Sequence, residues 1–225
     1  MKRCARLVLL GLSLVLPACG GGGDDSGSSS TDADEETAQA ANWRLSDFPP
    51  GWERDPAALR RPDSPDDLRF SACMGRPPAA ELRTAIADSD NFSTGEFTRA
   101  NSSAQVMRTE AIAREDLAVL LTEKALPCLR DRLQAELRGQ TPPGGPPFEL
   151  LTLERSEFPH VGDDTVSFRM TVAAPAVAAG ATLVVDQVFV RKGRVEISTA
   201  FVHREQPLPG DLEESLVRKL VERAS

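Results

Sequence analysis

Between Val166 and Val172 apolar and polar residues alternate one for one, with Val166, Phe168, Met170 and Val172 set against Ser167, Arg169 and Thr171. A period of two places each set on its own side of a strand, so the pattern predicts a strand from Thr165 to Ala173 with one wet face. Phe148 to Phe158, Thr182 to Val190 and Arg194 to Val202 are three further runs at hairpin spacing. Leu183-Val184-Val185 and Val188-Phe189-Val190 are apolar on both sides, as in a central strand covered above and below. Lys192-Gly193 predicts a tight turn into the next strand. A two-residue and a bulged three-residue connection both align the apolar faces, which leaves the register open.

Helical spacing governs Glu115 to Leu137. Leu117, Leu120 and Leu121 share one face, while Leu126, Leu129, Leu133 and Leu137 share another, rotated from the first. Pro127 lies between the two sets and removes a helical hydrogen bond, so a kink or a restart there lets both faces reach one core. Gly139 and the Pro142-Pro143-Gly144-Gly145-Pro146-Pro147 loop end this region. Asp211 opens the last helix, and Glu214 three residues on gives a capping-box pattern. Leu212, Leu216, Val217 and Leu220 form its apolar stripe, and Arg218, Lys219 and Arg223 suit the negative end of its dipole. Earlier in the chain, Trp43, Leu45 and Phe48 lead into the turn Pro49-Pro50-Gly51-Trp52. Pro77 and Pro78 start a short predicted helix from Ala79 to about Ala87. Phe92 and Phe97 flank a strand-turn signal at Ser93-Thr94-Gly95, and Ala104 to Ala113 reads as a weak strand.

The chain begins Met1-Lys2-Arg3, continues with the apolar run Leu7 to Leu16, and reaches Leu16-Pro17-Ala18-Cys19 followed by four glycines. A basic start, a ten-residue apolar segment and small residues describe a secretory signal peptide, and ten residues are too few to span a bilayer. Leu16-Pro17-Ala18-Cys19 resembles a bacterial lipobox. That resemblance implies a diacylglyceryl group on Cys19 and cleavage after Ala18, which places the protein lipid-anchored on the extracytoplasmic face of a bacterial cell membrane. Residues 1–18 are then the signal peptide, and 19–41 the lipidated Cys with a disordered tether of Gly, Ser and acidic residues. A single domain fills 42–225. A coil of the tether's length spans about 25 Å. Its acidic residues (Asp24, Asp25, Asp32, Asp34, Glu35 and Glu36) lack the fixed Gly and terminal Glu of an EF-hand loop, so they read as a solvated spacer.

Charge narrows the partners. The whole chain carries −8, and cleavage removes Lys2, Arg3 and Arg6 but no acid, leaving −11. Such a chain is repelled by nucleic acid and by anionic headgroups, so membrane attachment must come from the acyl chains. Of four cysteines, Cys4 leaves with the signal peptide and Cys19 is lipidated. Cys73 and Cys128 remain, in a compartment where disulfides persist, and we expect them to be paired. A bridge over that loop is worth about 4 kcal/mol in the chain-entropy model. A metal or redox site at these cysteines would want a Cys-x-x-Cys or a neighbouring His, and the sequence has neither.

Catalytic and cofactor signatures are missing: there is no Gly-x-Ser-x-Gly, no P-loop and no dinucleotide glycine fingerprint. We therefore assign no catalytic residues, no metal ligands and no cofactor. His160 precedes Asp163 and Asp164, and His203 sits beside Arg204 and Glu205; both histidines read as surface or turn residues. Asp186 and Gln187 interrupt an apolar strand. Either they line a pocket or, more ordinarily, they face solvent or pair across the strand with Thr199 or Ser198.

Taken together, the lipobox, the acidic tether, Pro49-Pro50-Gly51-Trp52, the Leu126-Pro127-Cys128-Leu129 helix, the antiparallel sheet and the closing helix resemble a group of actinobacterial lipoproteins. These, and the extracellular sensor domains of some receptor kinases, share a PsbP-like fold. The resemblance implies an α+β domain, an antiparallel sheet with helices packed on both faces, and a role in extracytoplasmic binding or sensing. The expected function is a monomeric, non-enzymatic binding module for an unknown protein or small molecule. One alternative is a carrier or chaperone for an apolar ligand, with the Leu183–Val190 strand as one cavity wall. Another is an extracytoplasmic hydrolase built on His160 with Asp163 or Asp164.

Overall fold

A computed structural model of the chain describes residues 28–55, 64–140, 145–175, 180–204 and 208–224. The expected signal peptide, Cys19 and the first part of the tether lie outside the described residues. The four C-terminal runs form strands β5 (Glu149–Arg155), β6 (Asp164–Ala173), β7 (Thr182–Lys192) and β8 (Val195–Arg204). The N-terminal part contributes β1 (Glu53–Asp55), β2 (Arg83–Asp88), β3 (Asn91–Thr94) and β4 (Thr98–Met107). All pair antiparallel in one eight-stranded sheet of order β1-β3-β4-β8-β7-β6-β5, with β2 also pairing β4. β7 is central, between β6 and β8, as its two-sided apolar pattern requires. The register left open at Lys192-Gly193 is settled: Lys192 pairs with Val195 across a two-residue turn, and Gly193 supplies the positive φ of 57°. Gly162 faces a stricter demand, since a Cβ there would meet the Arg191 carbonyl oxygen at 2.6 Å.

Among the described residues six α-helices complete the fold: α1 (Ser28–Ala40), α2 (Pro65–Met74), α3 (Ala79–Leu82), α4 (Glu110–Val119), α5 (Ala125–Gln140) and α6 (Gly210–Arg223). They cover both faces of the sheet. On one side, α1, α6 and Trp43, Phe48 and Trp52 close a core with Phe92, Val188, Ile197 and Phe201. On the other, α4 and α5 bring Leu117, Leu120, Leu129 and Leu133 onto Val166, Phe168, Met170 and Val172. The protein is thus an α+β sandwich. Trp43 ties its layers together, with its ring against Phe201 and its indole N–H donating to the Leu216 carbonyl at 3.0 Å. Among the described residues no helix is long and apolar enough to cross a membrane.

Several local expectations need correction. The disordered tether does not extend to Ala41: α1 begins at Ser28, so ordered structure precedes Asn42. Glu35, Glu36, Gln39 and the alanines are good helix formers, and fully buried Ala38 and Ala41 let the chain close onto β2 and β4. Asp34, read as part of a solvated spacer, accepts hydrogen bonds from Arg194 Nη2 at 2.7 Å and Thr84 Oγ1 at 2.5 Å. The helix expected over Ala79–Ala87 lasts one turn before β2 takes over, because residues from Ala85 to Asp88 find a ladder on β4. Likewise, the strand expected to reach Ala113 stops at Met107, and Thr109 then caps α4 by accepting the Ile112 N–H. Pro127 marks a restart, within the first turn of α5. Leu121 falls in the break before it and is exposed. Asp211 makes no side-chain cap, and Glu214 instead accepts from Arg218.

Candidate functional site

Three sequence expectations about polar residues meet different fates. His160 is exposed, as expected, on the loop ahead of β6. The acids expected to assist it are turned elsewhere: Asp163 accepts the Gly193 N–H at 2.7 Å and Lys192 Nζ at 3.2 Å, and Asp164 accepts Arg191 Nε at 2.7 Å. His203, read as a surface histidine, is buried at 1% exposure. Its Nε2 lies 3.1 Å from Asp186 Oδ2. Asp186 is buried too and faces neither solvent nor Thr199; Arg169 clamps it with two hydrogen bonds of 2.7 and 3.0 Å. Burial works against its ionisation, but the hydrogen bonds from His203 and Arg169 outweigh it and hold the carboxyl below the usual range.

Cys73 and Cys128 are bonded, with Cα atoms 5.8 Å apart at a sequence separation of 55. The bridge joins α2 to α5 in the layer over the β6 face. Beneath this stapled pair and α4 lies a cavity of about 160 Å³. Its sheet-side wall carries Ile86, Ser103, Gln105, Phe189, Glu196 and Ser198, residues of β2, β4, β7 and β8 that share one face by register. The helix side adds Phe70 and Ser71 from α2 and Leu117 from α4, with Leu120 at the end of α4. Two ion pairs frame it. Arg132 donates to Asp67 at 3.0 Å through Nε, and Arg76 pairs with Asp116.

The charges are unevenly distributed. Glu196 accepts from Gln105 Nε2 at 2.7 Å, and its carboxyl is pushed up to about 9, first by burial and then by the Asp116 charge. Burial also raises Asp116, against the pull of Arg76. Glu196 is therefore a neutral acid at physiological pH. Three arginines (Arg76, Arg83 and Arg132) line the cavity against the carboxylates of Asp67 and Asp116. The neutral Glu196 carboxyl is hydrogen-bonded to the Asp116 carboxyl beside it, so its proton is already engaged. Arg76 Nε is buried in the wall without a protein hydrogen-bond partner. The wall therefore offers one spare donor together with apolar ring and aliphatic surfaces.

Of this cavity's lining, sequence offered only the Leu183–Val190 strand as a possible wall, which contributes Phe189; none of its charged residues was singled out. Asp67, Arg76, Asp116, Arg132 and Glu196 come from four separate segments and form no motif. The available signal was faint: Glu196 is polar beside Val195 and Ile197 in a strand, which is also how a wet face looks.

No protein-family model matches the chain, and no curated protein matches it. Among solved structures it is similar to the extracellular domain of PknH from Mycobacterium tuberculosis, at 14% identity and a TM-score of 0.48 over 84% of this chain and 95% of that one.

Proposed function

We propose that this protein is a non-enzymatic binding module, taking a small polar-headed molecule into the cavity between the sheet and the α2–α4–α5 layer. The carrying observation is the pairing of a partly open cavity with a buried, unpartnered donor in its wall, Arg76 Nε. Buried donors of that kind are costly unless something accepts from them. A cavity of about 150 Å³ is large enough to hold benzene, so the enclosed part of the ligand is a ring or short chain of that order. The Arg76 donor suits an uncharged or monoanionic acceptor group, and Phe70, Phe189 and Leu117 suit an apolar body. The disulfide fixes the two helices of the roof relative to each other, which lowers the ordering cost of binding.

The polar lining argues against an apolar cargo carrier. Hydrolysis is disfavoured because His160 is exposed, while Asp163 and Asp164 are engaged by Gly193, Lys192 and Arg191. The carboxyls of Asp116 and Glu196 lie against each other, whereas a glycosidase pair stands about 5–9 Å apart with the scissile bond between. We place the module on the outer face of a bacterial membrane, held by a lipid on Cys19, because of the Leu16-Pro17-Ala18-Cys19 segment that ends its apolar leader.

Ligand-observed NMR with benzoate and benzamide tests the cavity. Saturation transfer from wild-type protein should vanish in Ser198→Phe, whose ring fills the space from the sheet side, while the variant's melting stays cooperative. Equal transfer from both proteins, or none from either, contradicts the proposal.

A further inference from the structure

On the opposite face of the sheet, we propose that Asp186, His203 and Glu213 form a binding site for a divalent transition cation. Asp186 lies mid-strand in β7, and His203 near the end of β8. The register pairs Asp186 with Phe201 and Val184 with His203, so the two side chains are diagonal neighbours on one face. The first turn of α6 sets Glu213 over them. One donor atom from each of the three lies within 4.8 Å of the others, and all three residues are buried.

The geometry suits an ion. Two ligands on a tetrahedral centre with arms of about 2.0–2.1 Å stand about 3.3 Å apart, and His203 Nε2 is already 3.1 Å from Asp186 Oδ2. Glu213 Oε1 is buried without a partner in a residue only 6% exposed, so its carboxyl is free to turn toward that pair. His203 Nδ1 is likewise buried and unpartnered. Because a carboxylate only accepts, Nε2 carries the imidazole proton while it faces Asp186. On cation entry that proton moves to Nδ1, leaving Nε2 as the ligand and the ring neutral. One imidazole and two carboxylates match the preferences of zinc and its first-row neighbours.

Arg169 is the present counter-charge. Its Nη2 competes for Asp186 Oδ2, while its Nε holds Oδ1. The side chain is 42% exposed, which lets Nη2 withdraw toward solvent while the Nε–Oδ1 bond keeps the carboxylate oriented. Such an arrangement gives a site that a guanidinium closes in the absence of metal and a cation opens.

Isothermal titration of the chelator-treated full-length protein with Zn²⁺, and the visible spectrum of its Co²⁺ form, test this. One equivalent should bind, with the intense d–d bands of a low-coordinate Co²⁺. Glu213→Ala and His203→Leu should each weaken Zn²⁺ at least tenfold, on the scale seen for site losses. Arg169→Met should tighten it, because the competing charge is gone. If His203→Leu fails to fold, Glu213→Ala decides, since the Glu213 Oε1 it removes has no hydrogen-bond partner to lose. No Zn²⁺ uptake by the wild-type protein, or uptake of equal affinity in Glu213→Ala, overturns the site.

Discussion

A Val188→Asp chain should remain unfolded under conditions where the parent is native, as read by far-UV circular dichroism and by loss of cooperative melting. Val188 is 1% exposed at the middle of β7, paired with Ser167 on one side and Thr199 on the other. Its side chain enters the core that α6 closes, where no partner awaits a carboxylate. Burying one there costs several kcal/mol, against a total stability of roughly 5–15 kcal/mol for a domain. Asp186 stands two residues away on the same face, so like-charge repulsion adds to the penalty. Val188→Ala provides the control. It should lose only about 2–3 kcal/mol and still melt cooperatively, as expected for a simple cavity. A stable Val188→Asp protein would mean that β7 is not central.

The second large effect is a fall in stability as the pH rises. Glu196 titrates near 4.5 when unfolded and at about 9 when folded, because burial and then the Asp116 charge favour its neutral form. Between those values the native state holds a proton that the unfolded state has lost. Stability is therefore fully present below about 4.5 and is lost as pH climbs toward 9, by about 1.4 kcal/mol per pH unit at most. Glu213, raised to about 7 by burial and by Asp186, adds a slope of the same sign over a narrower range. Asp47 works the other way. Burial opposes its ionisation, but hydrogen bonds from Arg223 and the Arg44 N–H keep its carboxyl low, so its contribution is lost only in strong acid. Urea unfolding at pH 5 and pH 8.5 should show the wild-type protein clearly weaker at the higher value. Glu196→Gln, neutral at both, should remove most of that difference and exceed wild type at pH 8.5. A variant that keeps the full slope would assign the effect elsewhere.

What the sequence disclosed follows from how local each signal is. The strands of the C-terminal half are legible because alternation from Val166 to Val172, and the doubled apolar pattern around Val188, report burial directly. The stripe of α6 is legible for the same reason. The pairing of Cys73 with Cys128 required only counting and a compartment. α1 was hidden because its acidic, serine-rich composition looks like a spacer, and its fully buried apolar contacts come from small residues, Ala38 and the adjoining Ala41. β2 was hidden because its partner β4 decides its state, not its own propensity. Both polar sites were illegible for a deeper reason. Asp186, His203 and Glu213 converge only through the register of β7 on β8 and the docking of α6. The cavity likewise needs Arg76, Asp116 and Glu196 brought in from three separate elements.

Native mass spectrometry of the protein extracted from its own membranes, alongside Ser198→Phe, tests the central claim that the cavity is a ligand site. The account predicts that wild-type protein carries one small-molecule adduct that collisional activation releases and that the Ser198→Phe protein lacks. Wild-type and Ser198→Phe proteins each at the bare mass of its own chain, free of any such adduct, would contradict it.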